Sequence, residues 1–378
     1  MRAIHVPIIA LIVLIFVLEP CVANNIFAND FKVNTYQVTT MLSDDTNPSL
    51  IKVDDKYVLA FCSNRSGNQD IWIMTSQDGN EWLISSQVTT NNSNDYEPAI
   101  SKGIEKNYTI VFLSNRDYSI NIWMSCSDDL HNWSTPIQIT DLCNNLPPGP
   151  IDGWNSWAKS PSLIYVPRYN ILSYIEENHG FIANYTLIKL LQISDWKNLS
   201  VCEYVVYLDN NSCPEKYLSS SIAHFNNTYY LIYNKYQNGF IIFSNDLSIW
   251  SPPIQYGYGS HPSMLKLSTN TFCIVNTAGI WLSDDLVNWT HVLNKSYEQP
   301  SAVQMDDGRI MVAYVKDGDI WVDIVDLGLG EDDNCDDCVF RVIGNFFVEN
   351  ALVAIPAVVV TVGVSVSVGY LLKRRRAN

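Results

Sequence analysis

Basic charge is scarce in this chain. Lys and Arg number 23 in 378 residues against 39 Asp and Glu, a formal net charge of −16. Lys373 to Arg376 hold four of those basic residues, so the remainder is more acidic still. A nucleic-acid binder needs a basic footprint to displace counterions from phosphates, and none is present. Charged residues of both signs make up only 16%, while hydrophobic residues reach 47%, which excludes a disordered chain and leaves material for a large core. A helical period is missing between residues 30 and 326. So are metal-ligand spacings, a Ser-His-Asp signature and a phosphate-binding loop, and no metal or cofactor is expected. Cys335-x-x-Cys338 has no second pair to complete a metal site.

Two long apolar runs stand at the ends of the chain. Residues 1–23 read as a secretory signal: Arg2 supplies the positive start, Val6 to Leu18 the apolar centre, and Cys21-Val22-Ala23 a small-residue cleavage neighbourhood. Residues 351–372 form 22 residues without a charge, enough to cross a bilayer as a helix, and the basic tail 373–378 follows at once. The positive-inside rule puts that tail in the cytoplasm and residues 24–350 outside. The expectation is a single-pass protein of the cell membrane whose ectodomain faces outward. Its partners are the lipid bilayer, through 351–372, and a cell-surface or extracellular glycan or protein, with no nucleic acid. Ten Asn-X-Ser/Thr sequons, from Asn64 to Asn294, agree with an exported surface. Of eight cysteines after residue 23, Cys202 and Cys213 are placed to clip one long connection, and Cys335 and Cys338 to close a local disulfide in an acidic stalk, 327–350.

What fills residues 24–326 is a repeat. A strand-opening motif recurs as Asn47-Pro48-Ser49-Leu50, Glu97-Pro98-Ala99-Ile100, Ser160-Pro161-Ser162-Leu163, Ser219-Ser220-Ser221-Ile222, His261-Pro262-Ser263-Met264 and Gln299-Pro300-Ser301-Ala302. Each opens a unit with an alternating apolar run, then an Ile-Trp run such as Ile71-Trp72, then a fourth run such as Gln87-Val88-Thr89-Thr90. Period-two alternation broken by Asn, Asp and Gly turns predicts four short strands per unit. Six such units predict an all-β, six-bladed β-propeller. The sixth unit lacks its fourth strand, and Gln37-Val38-Thr39-Thr40 repeats that strand's sequence, so the N-terminal strand is expected to close the ring and remove an open edge.

A tight-turn motif separates strands three and four: Ser76-Gln77-Asp78-Gly79-Asn80-Glu81-Trp82, Ser127 to Trp133, Ser244 to Trp250 and Ser283 to Trp289. Ser and Asp side chains at such spacing bond the turn's own amides, so Asp78, Asp129, Asp246 and Asp285 read as structural staples rather than acids. This motif resembles the Asp-box, or BNR, repeat of the sialidase-like six-bladed propellers, over nearly all of residues 34–326. The sialidase box is one residue longer. The Asp-Leu-x-x-Trp form and the x-Pro-Ser opening are also similar to those of five-bladed glycosidases acting on furanosides and xylosides. The resemblance implies a ligand site over the central channel, on the face where strand one begins.

On that face the candidates for acid–base work are Glu97, Glu298 and Asp45, paired carboxylates being what glycoside hydrolysis needs. Candidate ligand contacts are Arg65, Arg116, His261, Trp154, Trp157, Tyr236 and Glu176: aromatics for the flat CH faces of sugars, polar groups for the hydroxyls. Arg65 and Arg116 occupy equivalent slots in successive units, which equally fits a structural ion pair, with Asp70 as a partner. The arginine triad that the sialidase resemblance implies is not found, since residues 24–326 hold only Arg65, Arg116, Arg168 and Arg309. The reading is an extracellular propeller that binds glycan or protein without turnover. A glycoside hydrolase and a structural envelope protein are the alternatives.

Overall fold

The computed structural model describes residues 31–40, 42–104, 106–117, 119–142, 155–179, 184–195, 200–206 and 219–329. The expected signal segment, transmembrane helix and basic tail lie outside the described residues, as do the stalk beyond residue 329, Cys213 and Trp154.

Within 31–329 the alternating runs become six four-stranded antiparallel sheets. Blade one, for example, is Asp45–Val53, Lys56–Ser63, Asp70–Ser76 and Leu83–Gln87 in spatial order. The second strand of each blade is apolar on both faces, because a propeller sheet is covered by a neighbour on each side. Lys56–Ser63 and Ile310–Lys316 are almost wholly buried, and the fourth strand Leu83–Gln87 has no buried residue. The core is accordingly not one cluster but a ring of six. Each lies between two consecutive sheets, as where Leu59 and Met74 of blade one meet Met311 and Val322 of blade six. In blade five the third strand shortens to Gly279–Ser283, two residues fewer than Asp70–Ser76, an even change that leaves every side chain on its face.

The ring closes as the sequence predicts. Strand Lys32–Gln37 pairs antiparallel with Asp319–Asp326, bringing Thr35 opposite Asp323 and Gln37 opposite Trp321. Its end reproduces the side-chain contacts of true fourth strands. Thr39 Oγ1 accepts from the Ile320 amide at 2.9 Å, as Thr89 does from Ile71 and Thr140 from Ile122. The Thr89 hydroxyl donates in turn to Asp70, and that of Thr39 to Asp319. Asp323 anchors the seam. Its fully buried carboxylate accepts from Thr35 at 2.7 Å, from Tyr297 at 3.0 Å and from Tyr314 at 3.2 Å, and it pairs with Lys295.

The Asp-box turns behave as staples in all four blades. Asp246 Oδ1 accepts from the amides of Ser248 at 2.9 Å and Ile249 at 3.0 Å, while Trp250 Nε1 donates to the Leu247 carbonyl at 3.1 Å. Asp78, Asp129 and Asp285 make the same contacts. Leu130, Leu247 and Leu286 take φ of 66–67°, the position that Gly79 fills at 81°. Backbone donors pull the Asp246 and Asp285 carboxyls down to about 2.

Two outcomes follow from these contacts. Asp323→Ala strands a half-buried lysine and two buried tyrosines, and chemical denaturation should show a loss of about 3 kcal/mol. The folded-state values of Asp246 and Asp285 lie below the unfolded value of about 3.9, so their stabilisation is present above that value and disappears as pH falls toward 2. In the double variant Asp246→Asn, Asp285→Asn the denaturation midpoint should therefore fall less steeply between about pH 5 and pH 2. An unaltered slope would contradict the assignment.

Candidate functional site

The first strands of all six blades surround one cavity of about 260 Å³. It is lined at its mouth by Asn47, Glu97, Ser160, His261 and Gln299, with Ser220 and Ser221 from blade four. How these side chains reach the channel follows from a repeated β-bulge. In blade two, Tyr96 pairs with Leu113 and Ala99 with Val111, so Glu97 and Pro98 together oppose Phe112 alone. The same irregularity falls at Asn47-Pro48, Ser160-Pro161 and Gln299-Pro300. Proline cannot donate to a ladder and is tolerated at such a bulge. The residue before it takes a left-handed φ: 52° at Asn47, 48° at Glu97, 52° at Ser160, 51° at His261 and 51° at Gln299. Blade four, with serine in place of proline, has no such residue at Ser219.

A bulged residue loses its ladder partner, and the preceding blade supplies one. Gln299 Oε1 accepts from the Asn47 amide at 2.9 Å, Glu97 Oε2 from Ser160 at 2.7 Å, and Ser219 Oγ from His261 at 2.7 Å. Ser160 Oγ accepts from Ser220 at 3.1 Å. One turn deeper, the motif serines do the same for the next blade: Ser49 for Ile100 at 3.1 Å, Ser162 for Ile222 at 3.2 Å, Ser263 for Ala302 at 3.2 Å and Ser301 for Leu50 at 2.9 Å. Every one of the six seams is crossed by at least one of these bonds. Where blade two carries Ala99 in the serine's place, the Glu97 carboxylate crosses instead. Burial against the channel wall pushes the Glu97 carboxyl up, although the Ser160 amide opposes this. Across the channel, the surrounding walls push the His261 imidazole down while its outer edge stays open to solvent.

The structure separates the three candidate carboxylates. Glu97 lines the cavity. Asp45 does not: its fully buried carboxylate accepts from Arg65 Nη2 at 2.7 Å. Glu298 is exposed and points outside the cavity lining. Arg65 and Arg116 form matched ion pairs, but the partner is not Asp70. Arg65 binds Asp45 and Arg116 binds Asp95 at 2.6 Å, each guanidinium lying over a tryptophan, Trp72 at 5.1 Å and Trp123 at 4.6 Å. Asp70 opens strand three and is engaged by the fourth-strand segment, accepting from Thr89 and Gln87. Glu176 is buried and paired with Lys189 at 2.7 Å.

Blade three rises above the others on this face. Before its bulge it pairs Asn155 to Lys159 with Ile175 to His179, whereas blade one has only Asp45 and Thr46 there. Three extra residues add about 10 Å of strand. On that wall Trp157 Nε1 donates to Glu177 at 3.0 Å, and Lys159 pairs with the same carboxylate beside Ser160. Lys159 and Glu177 thus stand on the raised wall, outside the cavity lining. The sequence motif alone does not select Lys159, since no other unit has a strand at that height. On the adjoining blade four Tyr236 is well exposed.

Ser49→Ala removes the acceptor that blade one offers to the Ile100 amide, so urea denaturation should show a loss of about 1–3 kcal/mol. Glu97→Gln keeps an oxygen for the Ser160 amide and should leave stability near that of the parent, whereas Glu97→Ala should not. Equal midpoints for both Glu97 variants would refute the seam role.

No protein-family model and no curated protein sequence matches the chain. Solved structures do. An α-L-arabinofuranosidase of Fusarium graminearum, in complex with arabinobiose, superposes with a TM-score of 0.61 at 15% identity, over 79% of this chain and 99% of that one. The Trypanosoma rangeli sialidase in complex with sialic acid superposes with a TM-score of 0.50 at 10% identity, over 80% of this chain and 59% of that one. At such identities the likeness is one of fold alone, and the fold of the chain is the six-bladed β-propeller built by its own six sheets.

Proposed function

We propose that the protein is a membrane-anchored, extracellular propeller that binds glycan at its channel mouth without turning it over. One observation carries the reading: among the residues lining the mouth cavity Glu97 is the sole carboxylate, and it is bonded to the Ser160 amide. Hydrolysis of a glycosidic bond ordinarily takes two carboxyl groups about 5–10 Å apart across the sugar. Amides, hydroxyls and an imidazole fill the other mouth positions, and Trp157 stands on the raised wall. Such a set holds sugar hydroxyls and a CH face. Neighbouring propellers that act on arabinofuranosides and sialosides support a sugar as ligand. Export and anchoring rest on residues 1–23 and 351–372.

A second reading, glycoside hydrolysis, draws support from the burial of Glu97 at the channel, which raises its carboxyl in the direction a general acid needs. The two are told apart on the full-length protein with a glycan array that includes arabinobiose and sialosides, run beside an aryl-glycoside panel. Retained glycan with no aryl alcohol released is the expected result. Release that Glu97→Gln abolishes would establish the hydrolase instead, and inertness in both assays would dismiss both.

A further inference from the structure

Beyond the cavity, the mouth face carries a second feature on blade four. Two aromatic residues, Tyr236 and Tyr258, stand out there with 58% and 49% of their surface exposed. Tyr236 sits in the two-residue turn between Thr228–Lys235 and Asn238–Ser244, and Tyr258 ends the fourth strand opposite Asn238. The Gly259 amide donates to the Gln237 carbonyl at 2.9 Å, locking the two segments side by side. Gly259, at φ 108°, lets the chain swing back so that His261 lines the channel only three residues later, at most about 11 Å of extended backbone.

The ring of Tyr258 and the backbone of Tyr236 are held in place. Tyr258 packs edge-on against Trp281 at 5.2 Å and His291 at 5.7 Å. Tyr236 takes a φ of 57° at the first turn position, where glycine would sit without strain, and Asn234 bonds its carbonyl at 3.0 Å. Asn234 also accepts from the Ser219 amide at 2.7 Å, and Ser219 Oγ from His261. A continuous line of hydrogen bonds thus runs from the channel to the tyrosine turn. Around the pair lie Gln237, Asn238 and Ser260, with Lys235 directly before Tyr236 and His291 against Tyr258.

We propose that Tyr236 and Tyr258 form a second sugar-stacking subsite, so that the ligand is a linear oligosaccharide extending from the channel mouth over blade four. The proposal rests on the glycan reading of the mouth and adds its chain-length preference. Tyrosines lose little conformational freedom on binding, and exposed aromatic rings flanked by amides and hydroxyls suit a sugar better than a wholly apolar partner.

The test uses full-length protein on an array presenting each linear glycan as its disaccharide and its hexasaccharide. The parent should bind the hexasaccharide of its ligand about tenfold more tightly than the disaccharide. Tyr236→Gly, which relieves the turn, should keep or raise the melting temperature while cutting hexasaccharide affinity to the disaccharide level. Tyr258→Ala should do likewise to affinity, and Tyr258→Phe should restore it. If both affinities are retained unchanged in Tyr236→Gly and Tyr258→Ala, the subsite is wrong and the mouth reading stands. A parent that binds neither length removes both.

Discussion

The structure depends on the need to satisfy backbone amides where one blade hands over to the next. A propeller's inner strands converge on an axis, and the bulge that turns four of them into the channel takes an amide out of its own ladder. An unbonded amide packed in a seam is costly. The preceding blade therefore supplies an acceptor, and the identity of the mouth residues is constrained by that task. Gln299, Glu97, Ser160 and Ser219 are acceptors first. A carboxylate at Glu97 fits the constraint where the deeper serine of its blade has become Ala99.

This double duty shapes the chemistry available at the mouth. Polar side chains that hold a seam are fixed in orientation, which favours recognition of hydroxyl groups in a set pattern. Charges on the same face are largely spent elsewhere. Arg65 and Arg116 neutralise the buried Asp45 and Asp95 and lie over tryptophan faces. Glu176 and Glu177 are matched by Lys189 and Lys159. The face that results is unequal around its circumference, with a tall, charged wall on blade three and a low, aromatic flank on blade four.

Much of this was legible from residues alone. The Asp-box staples, the six units and the closing strand all rest on short-range repetition, and repetition survives because each blade solves the same local problem. Gln37-Val38-Thr39 could be matched to Gln87-Val88-Thr89 because both must cap the same strand-three amide. The partner of Arg65 was not legible. Asp70 lies nearer in sequence, yet strand four claims it, while Asp45 arrives from the inner strand. The exposure of Tyr258 was hidden for a similar reason. Period two would place it with Tyr256 on one face, but the register shift opposite Gly239 and Phe240 leaves Tyr256 unpaired and buried and Tyr258 exposed.

The sequence by itself determined the strand count, the turn chemistry and the ring, since alternation and turn residues act over a few neighbours. Only the tertiary structure decided which side chains face the channel and which are consumed. Residues before a proline ordinarily keep to extended backbone, yet five of them here turn left-handed at the mouth. No local preference produces that conformation. At Asn47, Ser160 and His261 it is held by acceptors from another blade, some 40 to 250 residues away along the chain.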